Sequence, residues 1–168
     1  MRRFFNLKGQ SIIEIALMTP LILVALYVPF DFGVAIFTGH LTQNAVRDGA
    51  RVASATDLLD DTKARTLAAQ VYDNLPELLD PADRQVTVTL YGNGSPDCSK
   101  FVEVSAEGTY NFFLYRLIAL LGFTPPDAIT IARATRMRYE FQPTTNGGAG
   151  STLTACTSVS ATGTYPAT

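Results

Sequence analysis

Two sets of residues in this 168-residue chain have types and spacing suited to chemistry. The first is Lys8-Gly9-Gln10-Ser11-Ile12-Ile13-Glu14, in which a basic leader, a glycine and a carboxylate introduce an apolar run. Gly9 has no side chain, so the backbone at this point beside the bilayer is open to close approach. An acid at the centre of a membrane helix costs about 2.5–3.5 kcal/mol, so Glu14 needs a cation or a position near the interface. Its plainer reading is a boundary carboxylate that reaches headgroup water. The second set is the pair Cys98 and Cys156, which can bond only to each other or to another chain. A bridge would tie the final polar segment to the body and contribute roughly 4 kcal/mol by loop closure, less any strain. Two unpaired thiols are the alternative.

The remaining reactive side chains argue against catalysis. His40 is the single histidine, and one histidine with two distant cysteines does not make a metal site. Ser95 lies in the turn Gly92-Asn93-Gly94-Ser95-Pro96-Asp97, without the strand-turn-helix setting or base that a nucleophilic serine needs. Asn93-Gly94-Ser95 matches a glycosylation acceptor in form, but Asn and Gly there serve a hairpin turn better. Asp57, Asp60 and Asp61 fall where a helix start attracts acids. The aromatics Phe112, Phe113, Tyr115 and Phe123 are too apolar for a nucleic-acid platform and read as core. No catalytic residue, metal ligand or cofactor site is expected.

These residues must be positioned by a long helix and a small body. Ile15 to Phe30 carries no charge, and the apolar stretch from Ile12 to Phe37 exceeds the about 20 residues that span a bilayer. A cleaved secretory signal is the competitor, but Ala53-Ser54-Ala55 lies far beyond the apolar run. Pro20 and Pro29 should bend or loosen this helix, which membranes tolerate. Arg2, Arg3 and Lys8 precede it with no acid among them, the cytoplasmic flank of the positive-inside rule. The body then lies outside the cytoplasm, where Cys98 and Cys156 can oxidise. From His40 onward ten basic residues face thirteen acidic ones, so no nucleic-acid footprint exists.

After Gly39-His40 the pattern Leu41, Ala45, Val46, Gly49, Ala50, Val52, Ala53 continues a helical face of small residues. Its partner is either the domain's own sheet or a neighbouring subunit. A second helix opens at Asp60-Asp61-Thr62, carries Ala64, Leu67, Ala68, Val71, Leu75 and Leu78, and should end at Asp80-Pro81. Val86 to Tyr91 and Phe101 to Tyr110 alternate at period two and predict an antiparallel hairpin. Asn111 caps a third helix, Phe112 to Leu121, apolar apart from Arg116. It is too short to span, and packs in the core, at the membrane surface or on another subunit, with the core favoured. Ile129 to Phe141 predicts the longest strand, with Arg133 out of phase at a bulge or edge. From Gln142 the chain turns to Thr, Ser, Gly and Ala, with a short edge strand expected within Thr152 to Val159 and a loose tail.

The leader around Gly9 resembles that of a prepilin. The run from Gly9 through Glu14 to Pro20, with Phe32-Gly33 and Ala45-Val46-Arg47-Asp48-Gly49-Ala50-Arg51, is similar to the TadE family of minor pseudopilins of the tight-adherence (Flp) pilus system. Ala132 to Glu140 resembles the family's late strand ending in Met-Arg. The resemblance implies cleavage between Gly9 and Gln10 by a membrane aspartic prepilin peptidase on the cytoplasmic face. It also implies that Glu14 pairs with the new α-amine of Gln10 on a neighbouring subunit, satisfying two poorly solvated charges at once.

The expected organisation is a leader at 1–9, a transmembrane and stem helix at 10–55, a periplasmic domain at 56–141 and a polar extension at 142–168. The expected fold class is α+β: a type IV pilin-like stem followed by two further helices and an antiparallel sheet of three to four strands. The expected function is that of a single-pass inner-membrane minor pseudopilin in Flp pilus assembly or export, with prepilin peptidase and other pilins as partners. Retention in the inner membrane and incorporation into the fibre both stay open. Two rivals keep the anchor: an uncleaved binding or scaffold domain of an adhesion or secretion apparatus, and a periplasmic enzyme.

Overall fold

The computed structural model describes residues 7–58, 60–92, 98–113, 122, 124, 126–140, 154–155 and 159–166. Its elements, in chain order, are α1 (Leu7–Ala55), α2 (Asp61–Asp73), β1 (Gln85–Tyr91), β2 (Cys98–Ser99), β3 (Phe101–Asn111), β4 (Ala128–Arg138), β5 (Thr154–Ala155) and β6 (Val159–Tyr165). Four strands form one sheet in the order β4-β3-β1-β6, while β2 and β5 form a parallel two-stranded ladder. The architecture is α+β, as the patterning implied. The chain groups into two compact units, Met1–Ile36 with Phe112–Ala128 and Phe37–Asn111 with Ile129–Thr168.

In the second unit, alternation along β1 and β3 puts apolar residues opposite one another. Val86, Val88 and Leu90 pair with Ala106, Val104 and Val102, and all six are buried. The opposite face of the hairpin carries Thr87, Thr89, Glu103 and Ser105, as a sheet packed on one side should. Covering the apolar face are Ala64, Leu67, Ala68 and Val71 of α2 and Val46, Ala50 and Ala53 of α1. The small-residue face of α1 therefore has a partner within its own domain. Contact is so close that a Cβ on Gly49 would collide with Val71.

Asp60 starts α2 by accepting the Thr62 N–H at 3.2 Å, the usual work of an N-cap acid. The helix ends at Asp73, short of the expected run to Leu78. Pro76 supplies no N–H for the Tyr72 carbonyl and disfavours helical geometry at Leu75, so the Leu75 N–H takes that carbonyl instead at 3.1 Å. Leu75 still reaches the core, whereas Leu78 is half-exposed. The link to β1 is fastened at Asp80, whose N–H donates to the Thr109 carbonyl at 2.7 Å and whose carboxylate accepts from the Asn111 amide at 3.0 Å.

The tail differs from expectation. Val159–Tyr165 is no loose end but an edge strand, antiparallel to β1, with Gly163 opposite Val88 and Ala161 opposite Leu90. A Cβ on Gly163 would fall on the α2 backbone at Ala64 and Arg65. Asp61 accepts the Thr162 N–H at 2.8 Å. At the end of the strand, Tyr165 meets the Tyr72 ring edge-on at 5.1 Å, and the Arg84 guanidinium stands 5.0 Å from that same ring.

β4 also resolves the phase of Arg133. Ile131 is buried, Met137 packs against the core, and the Arg133 guanidinium shares their face, where it lies against Gly39. Glycine leaves the room that the charged group occupies at this point of α1. Gln43 of α1 donates to the Thr135 hydroxyl on the same strand face at 2.9 Å. Of the expected third helix, only Phe112 and Phe113 are among the described residues.

Candidate functional site

The first half of α1 is built from large apolar side chains that stand outward. Ser11–Ala55 contains a window of mean hydropathy 2.2 with none of it buried, the one helix among the described residues long and apolar enough to cross a membrane. Ile12, Leu17, Leu21 and Leu26 are each exposed by more than 60% of their surface. Covering one such side chain is worth about 1.5–3 kcal/mol, so a row of them demands lipid or other helices. The Thr19 hydroxyl donates to the Ile15 carbonyl at 2.7 Å, so this polar group within the apolar run needs no water for its proton. The N-terminal apolar helix points to membrane anchoring.

Glu14 stands exposed on this half of the helix, flanked by the outward Ile13 and Ile15. Gly9 and Gln10 belong to α1 by their backbone, while their side chains lie outside the described residues. All three share one short helical segment. The expected disulfide lies outside the described residues, which include neither Cys156 nor the Cys98 side chain. What is described is the β2–β5 ladder, which pairs Cys98 with Thr154.

Candidate catalytic acids are occupied structurally. Asp57 forms an ion pair with Lys63 at 2.5 Å, Asp60 caps α2 and Asp61 holds β6. The hydrogen bond from Lys63 to Asp57 raises the lysine pKa above its ordinary value, with a smaller opposing effect of desolvation. His40 is exposed, and Ser95 lies outside the described residues. Among the described residues no three His, Cys, Asp or Glu side chains converge to hold a metal.

Sequence reasoning passed over Tyr139. Its ring is fully buried, and its hydroxyl accepts the Leu58 N–H at 3.0 Å while donating to the Thr56 carbonyl at 2.9 Å. Burial pushes the phenol pKa up, partly offset by the Leu58 N–H. The next residue, Glu140, donates its N–H to the Ser54 carbonyl at 2.9 Å. Together these bonds fasten the end of α1 to the strand edge. The available signal was a tyrosine closing the Met-Arg strand, which alternation alone does not distinguish from a surface ring.

A groove of about 430 Å³ between α1 and α2 was likewise not foreseen; its floor includes Ala45, Gly49 and Val71 and its rim Asp48, Gln70 and Asn74. On α1, Thr38 and Thr42 are buried, with the Thr42 hydroxyl donating to the Thr38 carbonyl at 2.9 Å. Asp31 is buried as well.

Comparison with known proteins bears on the part of the chain that holds Gly9, Gln10 and Glu14. Residues 9–51 match the family model of TadE-like protein. The match begins at the candidate cleavage point and ends within α1, leaving α2 and the sheet outside it. No curated protein and no solved structure matches the chain.

Proposed function

We propose that the chain is a minor pseudopilin of a Flp-type pilus, held in the inner membrane by the first half of α1 with its α+β domain in the periplasm. The observation that carries this reading is the coincidence of the TadE-like match with an outward-facing apolar helix bearing Glu14 near its start. Prepilin peptidase cuts between Gly9 and Gln10, removing Arg2, Arg3 and Lys8 and leaving an α-amine close to Glu14. The processed stem leaves lipid and packs against the stems of other pilins. There the carboxylate of one subunit meets the amine of another, and the pair fixes axial register because either charge alone in apolar surroundings is costly. Cys98 and Cys156 form a disulfide that ties the tail to the domain.

One observation favours a second reading, an uncleaved anchored scaffold. The backbone at Gly9-Gln10 lies in α1, whereas a protease takes its substrate extended, so cleavage requires the first turns to unwind. Intact mass of the protein from cells with and without an active prepilin peptidase separates the two. A chain beginning at Gln10 only when the peptidase is active supports the pseudopilin. A chain that retains its leader in both overturns it in favour of the scaffold. Glu14→Ala should then be processed normally yet fail to enter the pilus machinery, and normal piliation by that variant removes the register role.

A further inference from the structure

We infer that the chain touches the bilayer twice: besides the span in α1, Phe113, two residues past the end of β3, has its ring in the lipid of the outer leaflet. The inference rests on the reading of α1 as a membrane span and adds a second, interfacial contact to it. Phe112 is buried, and its ring lies 5.3 Å from that of Phe32. Phe32 belongs to the apolar stretch, five residues before Phe37. At 1.5 Å per residue this is about 7.5 Å inside the end of the stretch. Segments that lie in the interface sink their apolar side about 5–10 Å, so the ring pair sits at the depth such a segment occupies.

Phe112 is clasped through its backbone as well as its ring. The Phe112 N–H donates to the Asp127 carbonyl at 3.0 Å, so these two residues are held together beside α1. Next to this clasp, Phe113 exposes 80% of its surface, the most of any large apolar residue in the described chain. Water is a poor neighbour for that ring. Lipid is the occupant indicated by continuity, because the ring adjoins a contact with the same helix whose exposed Phe30 and Ile36 would already be in the bilayer. Aromatic rings are also the side chains that settle at headgroup depth.

The chain contains no tryptophan, so a single substitution makes a clean optical probe. Phe113→Trp and Leu21→Trp, each in the full chain reconstituted alone in phosphatidylcholine vesicles, are compared with and without brominated acyl chains. Both should emit blue-shifted light, lose intensity in brominated lipid to a comparable extent and resist aqueous iodide. If Leu21→Trp is quenched by bromine while Phe113→Trp emits as in water and is quenched by iodide, the second contact falls and the span stands. If both variants behave as water-exposed, the span falls and the inference with it.

Discussion

The two halves of α1 are made by different rules, although the helix runs through both. Ahead of Phe37 its outward residues are Ile, Leu, Met and Phe, and they stand bare. Beyond it the inward residues are Thr38, Thr42, Val46, Gly49, Ala50 and Ala53, and they are covered. Bulk serves the first half because lipid fills any shape and rewards area. Smallness serves the second because α2 and the sheet are rigid and must come close. Hydrophobicity alone would have joined both into one long apolar face; side-chain size tells them apart.

The strongest test of that contrast pairs one substitution from each environment. Leu90→Ala empties space in the packed core and should destabilise the domain by about 2–5 kcal/mol, whereas Leu21→Ala, made on the bare half, should leave the domain's unfolding transition unmoved. Thermal unfolding of both in the same detergent checks this, and equal losses would erase the distinction. Gly163→Ala probes how tightly the covered region is built. Overpacking costs about 1–3 kcal/mol, and the upper end is expected because the obstacle is α2 backbone and not a side chain that can turn away.

Tyr139→Phe keeps the ring and removes one oxygen, leaving the Leu58 N–H without its acceptor. A buried donor left unmade costs about 1–3 kcal/mol, and chemical denaturation should register the lower part of that range, since the vacated loop carbonyl of Thr56 can turn to water. Alkali should give the smallest effect. Tyr139 and Lys63 both hold their protons more firmly folded than unfolded, so each contributes stability that is full below its ordinary pKa of 10.0 or 10.5 and is lost as pH rises through the folded value. Unfolding free energy should therefore fall above about pH 10, and the slope should lessen in Tyr139→Phe. An unchanged slope would mean the phenol does not titrate with folding.

What could be read beforehand follows from where side chains advertise their surroundings. The β1–β3 hairpin was legible because Val86, Val88 and Leu90 alternate with Thr87 and Thr89, and α2 because Asp60 and Asp61 mark its start. The end of α2 was misplaced because the Leu75–Leu78 spacing continues past Pro76, and the proline's missing N–H outweighs that spacing. β6 was illegible for a different reason. Its inward positions are Ala161 and Gly163, which must be small where α2 presses in, so it shows none of the hydrophobic alternation by which strands announce themselves. Glu14 and Gly9 stood out because a carboxylate and a basic leader are conspicuous beside an apolar run. Tyr139 did not, since nothing in a strand's pattern says that a hydroxyl will find two loop groups from residues Thr56 and Leu58.

The edge strand at Val159–Tyr165 also imposes an order of events. A chain synthesised from its amino end delivers α2 and the β1–β3 hairpin first, with the groove for the fourth strand still vacant beside β1. The domain can close only when those late residues emerge and Gly163 slides under α2. Until then the half-made sheet offers an open flank, and anything that delays the tail prolongs that exposure.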